Sequence, residues 1–125
     1  DLIKLSDWKK TSDITKKIAL SLVSSNEFEL MTLVAQLSDS KKEFSSMLKI
    51  FSSILRDVMI LLAKTSVADA NDCAKTLSEK LSMKQVLNLI DIIHCTKDYV
   101  EKNVNLSNVT TFFCSNLFKI SNRNL

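Results

Sequence analysis

The sequence predicts an all-α protein, an antiparallel bundle of about six helices. Glycine and proline are both absent from the 125 residues, where average usage would supply roughly fifteen. Inside a helix Gly costs about 1 kcal/mol and Pro about 3 kcal/mol relative to Ala. A chain with neither suits helices joined by turns that keep a side chain at every position. Apolar residues also recur at i, i+3, i+4 and i+7 through most of the chain. Finally, Asn26, Ser40 and Ser82 are each followed three places on by Glu29, Glu43 and Gln85, the pattern of a capping box at a helix start.

Residues 1–11 hold Leu2, Ile3, Leu5 and Trp8 at mixed spacing, which reads as a short helix or the end of a linker. A first clear helix follows Thr11 or Ser12, either of which can cap it, with Asp13 in its first turn. Its stripe is Ile14, Ile18, Leu22 and Val23. Asn26 opens a second, shorter helix whose apolar surface is Phe28, Met31, Leu33, Val34 and Leu37. The third helix is the longest and follows Ser40. Its series runs Phe44, Met47, Leu48, Phe51, Ile54, Leu55, Val58, Met59, Leu61 and Leu62, and Ile60 joins the opposite side near its end. A helix apolar nearly all round is covered by others, so this one is expected at the centre. A break at 65–71 precedes a fourth helix, started by Asp69 or Asn71 and carrying Cys73, Leu77 and Leu81. Ser82 begins the fifth, with Val86, Leu89, Ile90, Ile93, Val100 and Val104 toward the core. Asn103-Val104-Asn105 is a polar stop. Asn tolerates left-handed geometry and can replace the missing glycine at a helix end. The last helix runs from Leu106 to about Ile120 on Val109, Phe113, Leu117 and Ile120, and 121–125 reads as a frayed end. The whole, 1–125, is expected to form one helical domain. It starts at Asp1 without Met, which is expected of a processed protein or a fragment of a longer one.

Composition excludes several classes of function. Without glycine there is no phosphate-cradling loop, no dinucleotide fingerprint and no hydrolase nucleophile elbow. Net charge is +3, from 17 basic and 14 acidic residues, a mild excess. Only Arg56 and Arg123 are arginine, and Arg is the favoured residue for bidentate contacts to phosphate or base edges. The doublets Lys9-Lys10, Lys16-Lys17 and Lys41-Lys42 read as solvated faces, because no aromatic interleaves with them as a stacking platform requires. No apolar run approaches the roughly 20 residues needed to span a bilayer, and no signal peptide is visible.

The three cysteines, Cys73, Cys95 and Cys114, show no CxxC spacing. Cys73 and Cys114 fall on apolar stripes and read as small buried hydrophobes in a reducing cytoplasm. His94 neighbours Cys95, but adjacent helical residues diverge by about 100°, so no metal or nucleophile pair is expected. The carboxylate pairs Glu27/Glu29 and Asp69/Asp72 sit at helix starts, where the helix dipole accounts for them. Asn88 and Asn116 stand beside apolar stripes as candidates to bridge helices. No constellation supports catalysis, and no cofactor, nucleotide or metal is expected.

Three features occur in a particular order: Leu55-Arg56-Asp57-Val58-Met59-Ile60-Leu61-Leu62 on the long helix, then a polar break with Asp69 to Asp72, then Asn103-Val104-Asn105-Leu106 ahead of the last helix. This order resembles the C-terminal domain of bacterial DNA polymerase III delta-prime subunits, whose stretches are Leu-Arg-Asp-apolar and Asn-apolar-Asn-x-x-Leu. The resemblance covers roughly Ile14 to Ile120. It implies an oligomerisation domain of the clamp loader, which places the sliding clamp on primed DNA during replication. Such a domain packs with those of the gamma/tau and delta subunits in a pentameric collar. It would follow an AAA+-like module, catalyse nothing, bind no nucleotide and make little or no direct DNA contact. The polymerase holoenzyme it would serve is the DNA-directed transferase. The gamma/tau collar domain and an unrelated helical adaptor remain alternatives.

Three residues are candidates for a subunit interface. Arg56 and Asp57 lie on the polar side of the long helix, where an ordinary ion pair is the other reading. On a helical wheel Val109, Phe113 and Ile120 cluster within about 40°, and Phe118 lies about 160° from their centre. Contact with the segment around Trp8, exposure at a helix end, and an aromatic interface anchor all stay open for it. As an anchor, Phe118 is expected to be replaceable by Asp with little change in melting temperature.

Overall fold

The computed structural model describes residues 2–24, 26–63 and 72–121, with side chains from Trp8 onward. These form six helices and no strand: α1 (Leu2–Val23), α2 (Glu27–Ala35), α3 (Lys41–Ala63), α4 (Asp72–Lys80), α5 (Met83–Glu101) and α6 (Leu106–Ser121). The protein is an all-α bundle. The expected break at 65–71, with Asp69 and Asn71, and the chain end at 122–125 lie outside the described residues.

The largest departure from expectation is α1. Thr11 and Ser12 do not cap a helix; α1 runs unbroken from Leu2 to Val23. Neither Gly nor Pro interrupts it, and the Thr15 and Ser21 hydroxyls bond carbonyls of the same helix. Thr11 is buried, and the Thr15 hydroxyl donates to the Thr11 carbonyl at 2.7 Å. Such back-bonding lets Thr sit inside a helix without an unsatisfied polar group. Of the two expectations for this stretch the helical one holds, residues 2–11 being continuous with the helix that follows.

The starts of α2, α3 and α5 match the sequence. The Asn26 side chain accepts the Glu29 N–H at 3.0 Å, and the Ser40 hydroxyl accepts that of Glu43 at 3.3 Å. Ser82 and Gln85 close a full capping box. Turns without glycine use two devices. After α2 the N–H groups of Gln36, Leu37 and Ser38 bond the carbonyls of Leu33, Val34 and Ala35, a run of tight i→i−3 turns. After α5, Asn103 takes φ 61°. Its N–H bonds the Val100 carbonyl, and that of Val104 bonds the Tyr99 carbonyl, both at 3.1 Å. This is a Schellman motif with Asn in place of glycine.

Helix α3 is central, packed against α1, α4 and α5. Phe44, Met47, Phe51, Leu55 and Val58 are fully buried along it. The Phe113 ring of α6 meets Phe44 at 5.7 Å and Phe51 at 6.3 Å, both edge to face, within the range favoured by aromatic quadrupoles. Two polar contacts fix helix directions. Lys41 Nζ donates to Asn103 Oδ1 at 2.6 Å, joining the start of α3 to the end of α5. Gln85 accepts the Ser82 N–H through Oε1 at 2.9 Å. Its Nε2 donates to the Ile120 carbonyl at 3.1 Å, joining the start of α5 to the end of α6. Helix α5 therefore runs antiparallel to both α3 and α6.

Two core assignments change. On α2, Leu30 is buried and Phe28 and Met31 are exposed, 81% and 53% respectively. The side of α2 facing α1 and α6 carries Leu30, Leu33 and Val34, and Phe28 and Met31, off that stripe, turn outward. Val104 is likewise exposed, because the Schellman turn leaves the helical path before its side chain reaches the core.

Candidate functional site

Among the described residues, two grooves lie between α1 and α3. Trp8, on α1, is 52% exposed and lines two adjoining grooves. One, of about 480 Å³, is formed with Lys10, Thr11, Ser40, Lys42, Glu43 and Ser46. The other, of about 340 Å³, is formed with Ser12, Lys16, Lys49, Ile50, Ser53, Ile54 and Asp57. The two grooves together are lined by four lysines, two carboxylates and five hydroxyl-bearing residues. Each lysine doublet noted in the sequence sends one member here: Lys10, Lys16 and Lys42. The doublets are solvated as expected, with Lys16 alone half-buried, and the packing of α1 on α3 brings one member of each to one surface. Sequence order hid this, since the aromatic that joins them, Trp8, lies on the stretch read as linker or short helix.

The candidate interface residues fall in different surroundings. Arg56 is exposed. Asp57, one position on and rotated by about 100°, is half-buried and lines the second groove. Phe118 is half-buried and packs against the core. It is less exposed than its angle from the α6 stripe suggests. Helix α6 is flanked by α5, α2 and α1, so a wide arc of it is covered. Asn116 does not bridge helices; its Nδ2 donates to the Phe112 carbonyl of its own helix at 2.8 Å. Phe112 and Tyr99 stack edge to face at 5.2 Å across α5 and α6.

Cys73 and Cys114 are buried, and Cys95 is exposed. The Cys73 thiol donates to the Lys16 carbonyl at 3.8 Å. Burial raises its pKa, opposed by the nearby Lys16 charge. Burial pushes the Cys114 thiol up to about 11, and the Glu27 carboxylate adds to the rise. A raised pKa keeps a thiol protonated and unreactive. Neither thiol has the character of a nucleophile. His94 is exposed beside Cys95. Among the described residues no three His, Cys, Asp or Glu side chains gather closely enough to hold a metal ion. No helix among them is long and apolar enough to cross a membrane.

Comparison with known protein families, curated proteins and solved structures gives no match to this chain.

Proposed function

We propose that this chain is an architectural oligomerisation domain of the clamp-loader collar, of the delta-prime kind. The observation that supports it is the order of features along the fold. Arg56-Asp57 lies on the long central helix α3. The short α4 and the capped α5 follow. The Asn103 turn, left-handed at φ 61°, then leads directly into the last helix. These are the positions at which the resembling family carries its Leu-Arg-Asp and Asn-apolar-Asn stretches. On this reading the domain is a rigid packing unit. Exposed Arg56, half-buried Asp57 and the accessible edge of Phe118 are offered to neighbouring subunits, and chemistry is left to other parts of the assembly.

The test is capture of partners from the cells that make the protein. The tagged chain, purified at moderate salt, should bring down the gamma/tau and delta subunits, identified by mass spectrometry. Arg56→Ala should keep the helical circular-dichroism spectrum and reduce that capture. Recovery of neither subunit would overturn the collar reading. Recovery of other proteins alone would favour an unrelated adaptor.

A further inference from the structure

We infer that the groove between α1 and α3 is a binding site for single-stranded nucleic acid. One base would stack on Trp8, and the backbone phosphates would run along Lys10, Lys42, Lys16 and Lys49. The inference is independent of the collar reading, and departs from its expectation of little direct DNA contact.

Three observations carry it. The first is placement. Trp8 is shared by both grooves, with Lys10 and Lys42 in one and Lys16 and Lys49 in the other. A half-exposed aromatic among lysines from two helices is the stacking platform that the order of the lysine doublets in the sequence concealed. Non-specific single-strand sites combine such a ring with a cationic track. The second is spacing. Lys42 and Lys49 are two helical turns apart on α3, about 10 Å along its axis, and Lys10 and Lys16 are about 9 Å apart on α1. Cations therefore line both walls at two levels, a reach that suits a few nucleotides of extended strand. The third is the character of the walls. Ser12, Ser40, Ser46 and Ser53 supply hydroxyls, which bond phosphate and sugar oxygens. Ile50 and Ile54, which line the second groove beside Trp8, are themselves buried, so Trp8 is the large apolar side chain it exposes.

Glu43 and Asp57 are the carboxylates in these walls, and both are half-buried. They reduce the net cationic excess to two and hold the expected affinity to a modest level. The site contains lysines and no arginine, so it supplies point charges and a stacking face without bidentate readout of base edges. Binding is therefore expected to be tolerant of sequence.

Trp8 is the single tryptophan of the chain, which makes it a direct reporter. The whole chain would be titrated with a short oligothymidylate, a matching oligouridylate, a duplex of equal length and a Glu-rich peptide. Trp8 fluorescence would be followed, and, for labelled probes, anisotropy. Saturable quenching by the single strands is expected, with weaker binding of the duplex. The two single strands distinguish a DNA from an RNA preference. Raising salt from about 50 to about 200 mM should weaken binding roughly twenty- to fifty-fold, as expected for three or four neutralised phosphates. By anisotropy, Trp8→Ala should weaken binding about tenfold and Trp8→Phe much less. Lys42→Glu with Lys49→Glu should abolish it while the circular-dichroism spectrum is retained. No saturable single-strand binding would overturn the proposal. So would binding indifferent to both the Trp8 and the lysine changes, or quenching by the acidic peptide alone. None of these outcomes bears on capture of gamma/tau and delta.

Discussion

Cys114 shows how far one buried side chain can set the behaviour of the protein. It lies on α6 within range of Glu27, at the start of α2, and its thiol pKa is raised from 9.0 to about 11. The folded state therefore holds this proton more tightly than the unfolded chain does. The resulting stabilisation is complete below about pH 9 and is lost as pH rises through about 11. A shift of this size corresponds to about 2–3 kcal/mol. Urea unfolding should show stability falling between pH 8 and pH 11. In Cys114→Ala the fall should be shallower by an amount of that order, even though the variant starts from lower stability because of the cavity it creates. Every other ionisable group is common to both proteins, so the difference between the two slopes isolates Cys114. Equal slopes would mean that the thiol is open to solvent.

At the scale of elements, the turn between α5 and α6 is the clearest case of a chain solving a glycine problem without glycine. Asn103 has φ 61°, where a residue with a Cβ is disfavoured by about 1–2 kcal/mol and Asn is among the least penalised. Its side chain also accepts from Lys41. Both Asn103→Gly and Asn103→Ala lose that acceptor, so their difference reports the backbone alone. Ala should be less stable than Gly by about 1 kcal/mol in urea unfolding. Equal stabilities would show that the turn is not left-handed in solution. This turn was legible in the sequence, as were the caps at Asn26, Ser40 and Ser82, because each signal is local. The start of α1 was not. Thr11-Ser12-Asp13 carries the chemistry of a cap, but hydroxyl residues are also accommodated inside a helix, as Thr15 is by back-bonding to the Thr11 carbonyl. Only the packing of α1 against α3, α4 and α6 decides between the two.

For the whole molecule, periodicity showed which helix is central but not how the faces of neighbouring helices meet. The α1–α3 groove joins residues from Trp8 to Asp57, and no local pattern connects them. The same limit explains α2. All five of Phe28, Leu30, Met31, Leu33 and Val34 are apolar, so hydropathy alone cannot say which side of this short helix is inward. In the fold Leu30 is 1% exposed and Phe28 is 81% exposed. The two should respond oppositely to polar or truncating change. Phe28→Ser with Met31→Gln removes side chains that already meet water, so stability should stay within about 0.5 kcal/mol of the parent. Leu30→Ala leaves a cavity between α2 and its neighbours and should cost about 2–5 kcal/mol. Thermal and urea unfolding of both variants decide the orientation. If the Phe28 and Met31 double change destabilises as much as Leu30→Ala, α2 is rotated in solution and its larger apolar side chains belong to the core. If only Leu30 matters, the protein keeps a phenylalanine and a methionine in water one helical turn apart, and its core is complete without them.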